Sequence, residues 1–129
     1  MESLFENAAA GMFNLIFSAE PKSLLIDQTE TISLSEIDAE MLLVSWLSEL
    51  LWHFDTNLMV PTTYDLNIEE ASCSDGQGLG EASLEAKVGF VRLSDLDLSP
   101  TTDVKAVTMH NLAIKRERGM LSVRVLLDV

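Results

Sequence analysis

The amino-acid sequence predicts an α+β fold in two layers, with two helices packed on one face of a mostly antiparallel sheet. Three observations predict it. Two segments in the first half carry apolar residues at helical spacing, whereas the second half alternates with the period of strands. The order that results is helix, strand, helix and then four strands, which calls for helices gathered on a sheet. The 129 residues are 47% apolar, enough to bury one sizeable core and to argue against disorder.

Residues 2–17 form the first predicted helix. Phe5, Ala8, Met12, Leu15 and Ile16 recur every three or four positions and share a face. Glu2 and Glu6 stand in its first turns, where the helix dipole favours negative charge. Gly11 weakens a helix by about 1 kcal/mol relative to alanine, so a close neighbour is expected there, and Pro21 ends the segment. Residues 24–34 alternate loosely as a strand or extended arm, with Ser35 or Asp38 as the N-cap of the next helix. Residues 38–55 carry a wide apolar stripe of Leu43, Trp46, Leu47, Leu50, Leu51 and Phe54, which must cover another layer. Residues 58–70 read as a strand with Pro61 at an edge or start, and 72–78 as a turn. Strands follow over 79–93, 103–115 and 120–129, the first two separated by a polar loop at 94–102 and the last two by a turn at Glu117-Arg118-Gly119. Leu121, Val123, Val125 and Leu127 occupy one face of the final strand.

Charge narrows the functional classes. The net charge is −13, and it is unevenly spread: residues 1–86 hold sixteen acids and one base, Lys22, whereas residues 87–129 hold five acids and seven bases. A phosphate backbone is repelled by most of such a surface, so no direct nucleic-acid binding is expected. The acidity serves solubility, cation binding or docking onto a basic protein. No apolar run reaches the roughly 18 residues of a membrane helix, no basic residue precedes Lys22 as a secretory signal requires, and the single Cys73 has no disulfide partner within the chain. The cytoplasm is the expected location.

Catalytic patterns are missing. The glycines of Gly76-Gln-Gly-Leu-Gly80 open a strand rather than a helix, unlike a phosphate loop. No paired-cysteine zinc spacing occurs, and His53 and His110 sit in no triad-like context. Cys73 stands among Glu69, Glu70 and Asp75, which disfavour a thiolate. Asp95, Asp97 and Asp103 do not follow calcium-loop spacing. One cluster stands out: the chain closes a strand with Asp128-Val129, where a side-chain carboxylate, a carbonyl and the terminal carboxylate lie together. Hard cations take such oxygens, but usually six to eight of them. From spacing alone a frayed terminus is the plainer account.

Four segments, in order, resemble one known family. Leu4-Phe-Glu-Asn-Ala-Ala-Ala-Gly-Met-Phe13 is similar to the first-helix signature of the archeases, and the segment Leu42 to Thr56 is similar to the second. Asp103-Val-Lys-Ala-Val-Thr-Met-His110 resembles the family strand EVKAVTYH, with Met109 where an aromatic is usual, and Val123 to Val129 resembles the family's ending. The resemblance implies an accessory protein of the RtcB-type RNA ligase, which joins RNA ends in tRNA splicing using GTP and manganese. Such a protein promotes guanylylation of the ligase and its multiple turnover, and is not itself an enzyme. It also implies a divalent-metal site, calcium in at least some members, to which Asp128 and Val129 contribute, and a functional role for Lys105; His110, in a strand or at its end, is a further candidate beside a structural role. In the family another ligand comes from a His-Thr-Ala-Asp strand ahead of the first helix. That strand is absent here, so the chain reads as a single domain, residues 1–129, shortened at its amino terminus relative to the family, with an incomplete metal site. A chaperone-like protein-interaction module, suggested by the acidic surface and apolar helices, is the alternative. A small metal-dependent enzyme ranks below both.

Overall fold

The computed structural model describes residues 1–23, 25–70 and 81–129. In chain order these form α1 (Glu2–Phe17), β1 (Gln28–Glu36), α2 (Ala39–Asn57), β2 (Met59–Glu70), β3 (Ala82–Arg92), a single 3₁₀ turn (Leu93–Asp95), β4 (Ala106–Glu117) and β5 (Met120–Asp128). The fold is α+β with antiparallel strand pairing, as the sequence predicts. The strands divide between two sheets, however: a three-stranded sheet in the order β1-β3-β2 and a hairpin of β4 and β5. The predicted turn at 72–78, with Cys73, lies outside the described residues.

The core explains this layering. Along β3 the side chains of Ala82, Leu84, Ala86, Val88 and Phe90 are buried, while Ser83, Glu85 and Lys87 between them are exposed. The three-stranded sheet therefore turns one face to the helices and the other to solvent. From the helices, Phe5, Phe13, Ile16, Leu42, Leu43, Trp46, Leu47 and Leu50 join the same core and are almost fully buried. Trp46 donates its indole N–H to the Phe5 carbonyl at 3.1 Å, which fixes α2 against α1. Phe54 meets Phe13 and Phe17 edge-on, with ring centroids 5.9 and 5.7 Å apart. Burial drives the Tyr64 phenol well above its ordinary pKa, and the charges of Glu6 and Glu20 add to this, so it stays neutral. The inward residues of the hairpin, Val107, Leu112, Val123, Val125 and Leu127, pack on the same core.

Local chemistry sets the element ends. Of the two expected N-caps, Asp38 takes the position: its carboxylate accepts the Met41 N–H at 2.8 Å. The Glu2 carboxylate accepts the Ile68 N–H at 2.9 Å, tying the start of α1 to β2 and holding its own pKa below the usual range. At the other end of α1, the Thr101 and Thr102 N–H groups donate to the Ile16 carbonyl at 2.7 and 3.1 Å. Pro61 lies in β2, an edge strand, where a missing N–H is tolerated. β4 and β5 are joined by Arg118-Gly119, both at positive φ, as a two-residue hairpin turn requires.

Gly11 departs from the expectation of a tight contact. A Cβ built there meets nothing within 4 Å. It lines a hollow of about 240 Å³ with Ala8, Met12, Leu47, Val123, Val125 and Leu127, between the helices and the inner face of β5. The close approach belongs instead to Gly89, whose added Cβ would collide with Thr63 Oγ1 and stand 3.0 Å from Ile26 Cδ1.

Candidate functional site

The hairpin brings two of the expected functional residues together. β4 begins at Ala106, later than the alternation predicts, so Lys105 is the last residue before the strand. Ala106 pairs with Asp128, and the Lys105 N–H donates to the Asp128 carbonyl at 2.6 Å. Val104, next to Lys105, is buried and pins this entry to the core, whereas the Lys105 and Asp128 side chains are exposed. An ammonium and a carboxylate are thus held at one end of the second sheet, beside the exposed Val129.

His110 is not at that end. The β4–β5 pairing runs in one register from Ala106–Asp128 to Thr108–Leu126 and resumes in another at Ala113–Arg124. Four residues of β4, Met109 to Leu112, thus stand against Val125 alone. His110 falls in this bulge, exposed and apart from Lys105. His53 has a packing role: its ring lies 4.9 Å from that of Phe90 and its Nε2 stands 3.6 Å from Glu49 Oε1.

The donors available to a cation are limited. Among the described residues no three His, Cys, Asp or Glu side chains converge as a metal would need. Asp128 and Val129 offer carboxylate oxygens, but the Asp128 carbonyl already accepts from Lys105. These residues supply only part of a calcium shell. Two carboxylate pairs occur elsewhere among the described residues. The Asp55 carboxyl is held above the ordinary aspartate range, first by partial burial at the end of α2 and then by the charge of Asp103; the residue as a whole is exposed, so that burial is partial. Asp27 accepts the Arg92 N–H at 2.9 Å, which lowers its pKa, and its hydrogen bond with Asp95 raises that of Asp95. Sequence spacing signals neither pair, because each joins segments far apart in the chain.

With this geometry in place, likeness to known proteins decides the family. The model described as the Archease protein family (MTH1598/TM1083) matches residues 1–129. The chain belongs to the archease family. Its archease relatives include those of Methanosarcina mazei, 33% identical over all of this chain and 83% of the relative, and Methanosarcina barkeri, 34% identical over 99% and 82%. Among solved structures, protein 1598 of Methanobacterium thermoautotrophicum superimposes with a TM-score of 0.67 at 28% identity, covering 98% of this chain and 83% of that one. Archease membership agrees with the four segments on which the resemblance rests, and no helix among the described residues is long and apolar enough to cross a membrane.

Proposed function

We propose that this archease is an accessory activator of an RtcB-type RNA ligase, promoting its guanylylation and multiple turnover in tRNA splicing without catalysing ligation itself. Archeases are known as accessory proteins of RNA ligases, and family membership is shown over the whole chain. The observation that carries the reading is the 2.6 Å hydrogen bond from the Lys105 N–H to the Asp128 carbonyl. It fixes two residues of the expected functional set side by side at an accessible edge. On this reading the acidic surface of residues 1–86 meets a basic face of the ligase, and the Lys105–Asp128 end is presented to it. Asp128 and Val129 contribute to a divalent-cation site, calcium by family expectation, whose remaining ligands come from beyond the described residues.

The test is multiple-turnover ligation by a matching RtcB-type ligase with and without this chain. Stimulation is expected, and Asp128→Asn should reduce it at least several-fold while leaving the thermal transition cooperative. Absence of stimulation by the unaltered chain would sink the proposal. Calorimetric titration with calcium addresses the cation separately: binding that Asp128→Asn leaves unchanged would remove Asp128 from the site.

A further inference from the structure

The chain's acidity hides a strongly basic element. From Val104 to Val129 there are five bases, Lys105, Lys115, Arg116, Arg118 and Arg124, against the acids Glu117 and Asp128. On the outer face of the hairpin, past the bulge, Ala113 pairs with Arg124 and Lys115 with Ser122. Lys115 and Arg124 therefore stand diagonally across the two strands, within joint reach of one small ligand. Between them lies a hollow of about 470 Å³, lined by Ala113, Lys115, Ser122, Val123 and Arg124. The small side chains of Ala113 and Ser122 leave the space that the two cations flank.

Among the described residues no carboxylate lines this hollow, and neither Lys115 nor Arg124 forms a salt bridge. Two exposed cations and a hydroxyl thus line the hollow, and the nearest acid on this face in the strand register, Glu117, stands two residues beyond Lys115, outside the lining. We propose that this hollow binds a phosphoryl anion. Arginine offers a planar fork of N–H donors, lysine a mobile ammonium and serine a hydroxyl; approaching from different sides, they suit a tetrahedral, multiply charged group better than a flat carboxylate. Val104 to Val129 contains no Phe, Trp or Tyr, so the hairpin offers no stacking platform for a base. Recognition is of the phosphate and is indifferent to base sequence. The acidic field of residues 1–86 also limits how much of a long polyanion can lie on the protein, so a short phosphate-bearing segment saturates the site. The inference is independent of the ligase reading: it rests on charge and shape past the bulge, away from Lys105 and Asp128.

Phosphoryl groups reach proteins as part of a polynucleotide or singly, and titration of the ¹⁵N-labelled full chain separates the two. Inorganic phosphate and hexauridylate should both shift the amides of Ala113, Lys115, Ser122 and Arg124. Arg124→Gln and Lys115→Ala should each weaken binding roughly fivefold, whereas Lys87→Ala, on the other sheet, should leave it unchanged. Tighter binding of hexauridylate, with a salt slope of about −0.7 per phosphate contact, assigns the site to a polynucleotide backbone; equal binding of the two assigns it to a single phosphoryl group. Both support the proposal. No shift at these amides with either probe overturns it, as does hexaglutamate binding as tightly as hexauridylate, which would make the face a dock for an acidic protein.

Discussion

Replacing Gly11 by alanine should make this protein more stable, by a predictable amount. Gly11 lies in the interior of α1, where glycine costs about 0.8–1.0 kcal/mol relative to alanine because the unfolded chain has more freedom to lose. Whether that gain is realised depends on space, and the added Cβ meets no atom within 4 Å. The expected gain is therefore about 1 kcal/mol. With an unfolding entropy of about 2.1 cal/mol/K per residue, a chain of this length should melt roughly 4 °C higher. Circular-dichroism melts and urea titrations of Gly11→Ala beside the unaltered chain measure it. Gly89→Ala supplies the opposite sign, because there the methyl meets Thr63 Oγ1 and Ile26. A Gly11→Ala protein that melts at or below the parent temperature would refute the open hollow between α1 and β5, and with it the placement of the hairpin on the helices.

Other consequences follow from the same physics. Trp46→Phe removes a buried hydrogen bond worth about 1 kcal/mol and leaves a void costing about as much again, so stability should drop by roughly 2 kcal/mol and the melting temperature by about 7 °C; a change below about 2 °C would contradict the buried indole. Arg118 takes a left-handed conformation ahead of Gly119, so Arg118→Asn, the residue preferred in such turns, should raise stability by about 0.5 kcal/mol in denaturant titrations. The raised pKa of Asp55 means that the folded chain binds that proton more tightly than the unfolded chain. Stability from this group is thus present at low pH and lost as pH rises through its folded pKa, so Asp55→Asn should stabilise at neutral pH and the gain should shrink on acidification. Melts at pH 3 and pH 7 decide it.

How much was legible in the sequence differs between elements. The helices were read almost to their ends, because stripes such as Trp46, Leu47, Leu50 and Leu51 are set by burial on one side, and Asp38 is a strong cap. The strands were legible but their grouping was not. Alternation shows that β4 has an inner face; it does not show that β4 and β5 pair apart from the three-stranded sheet. Gly11 misled for a related reason: an unfavourable residue signals that something is unusual, without saying whether it is a close neighbour or a gap. At the candidate site, Lys105 and Asp128 were named through the family resemblance, and their adjacency is a product of hairpin pairing. Spacing alone does not single out Lys115 and Arg124; the hairpin register places both on one face. The whole-chain charge of −13 masked a local excess of the opposite sign.

The register slip between Thr108 and Ala113 has a dynamic consequence. A continuous ladder opens as one unit, but here the unpaired run from Met109 to Leu112 separates two short ladders, and each can fray on its own. Amide protons near Ala106 and Asp128 should exchange at rates unlinked to those near Ala113 and Arg124. Damage at the distal ladder then need not loosen the proximal one, and one small hairpin can carry two surfaces that wear, bind and evolve separately.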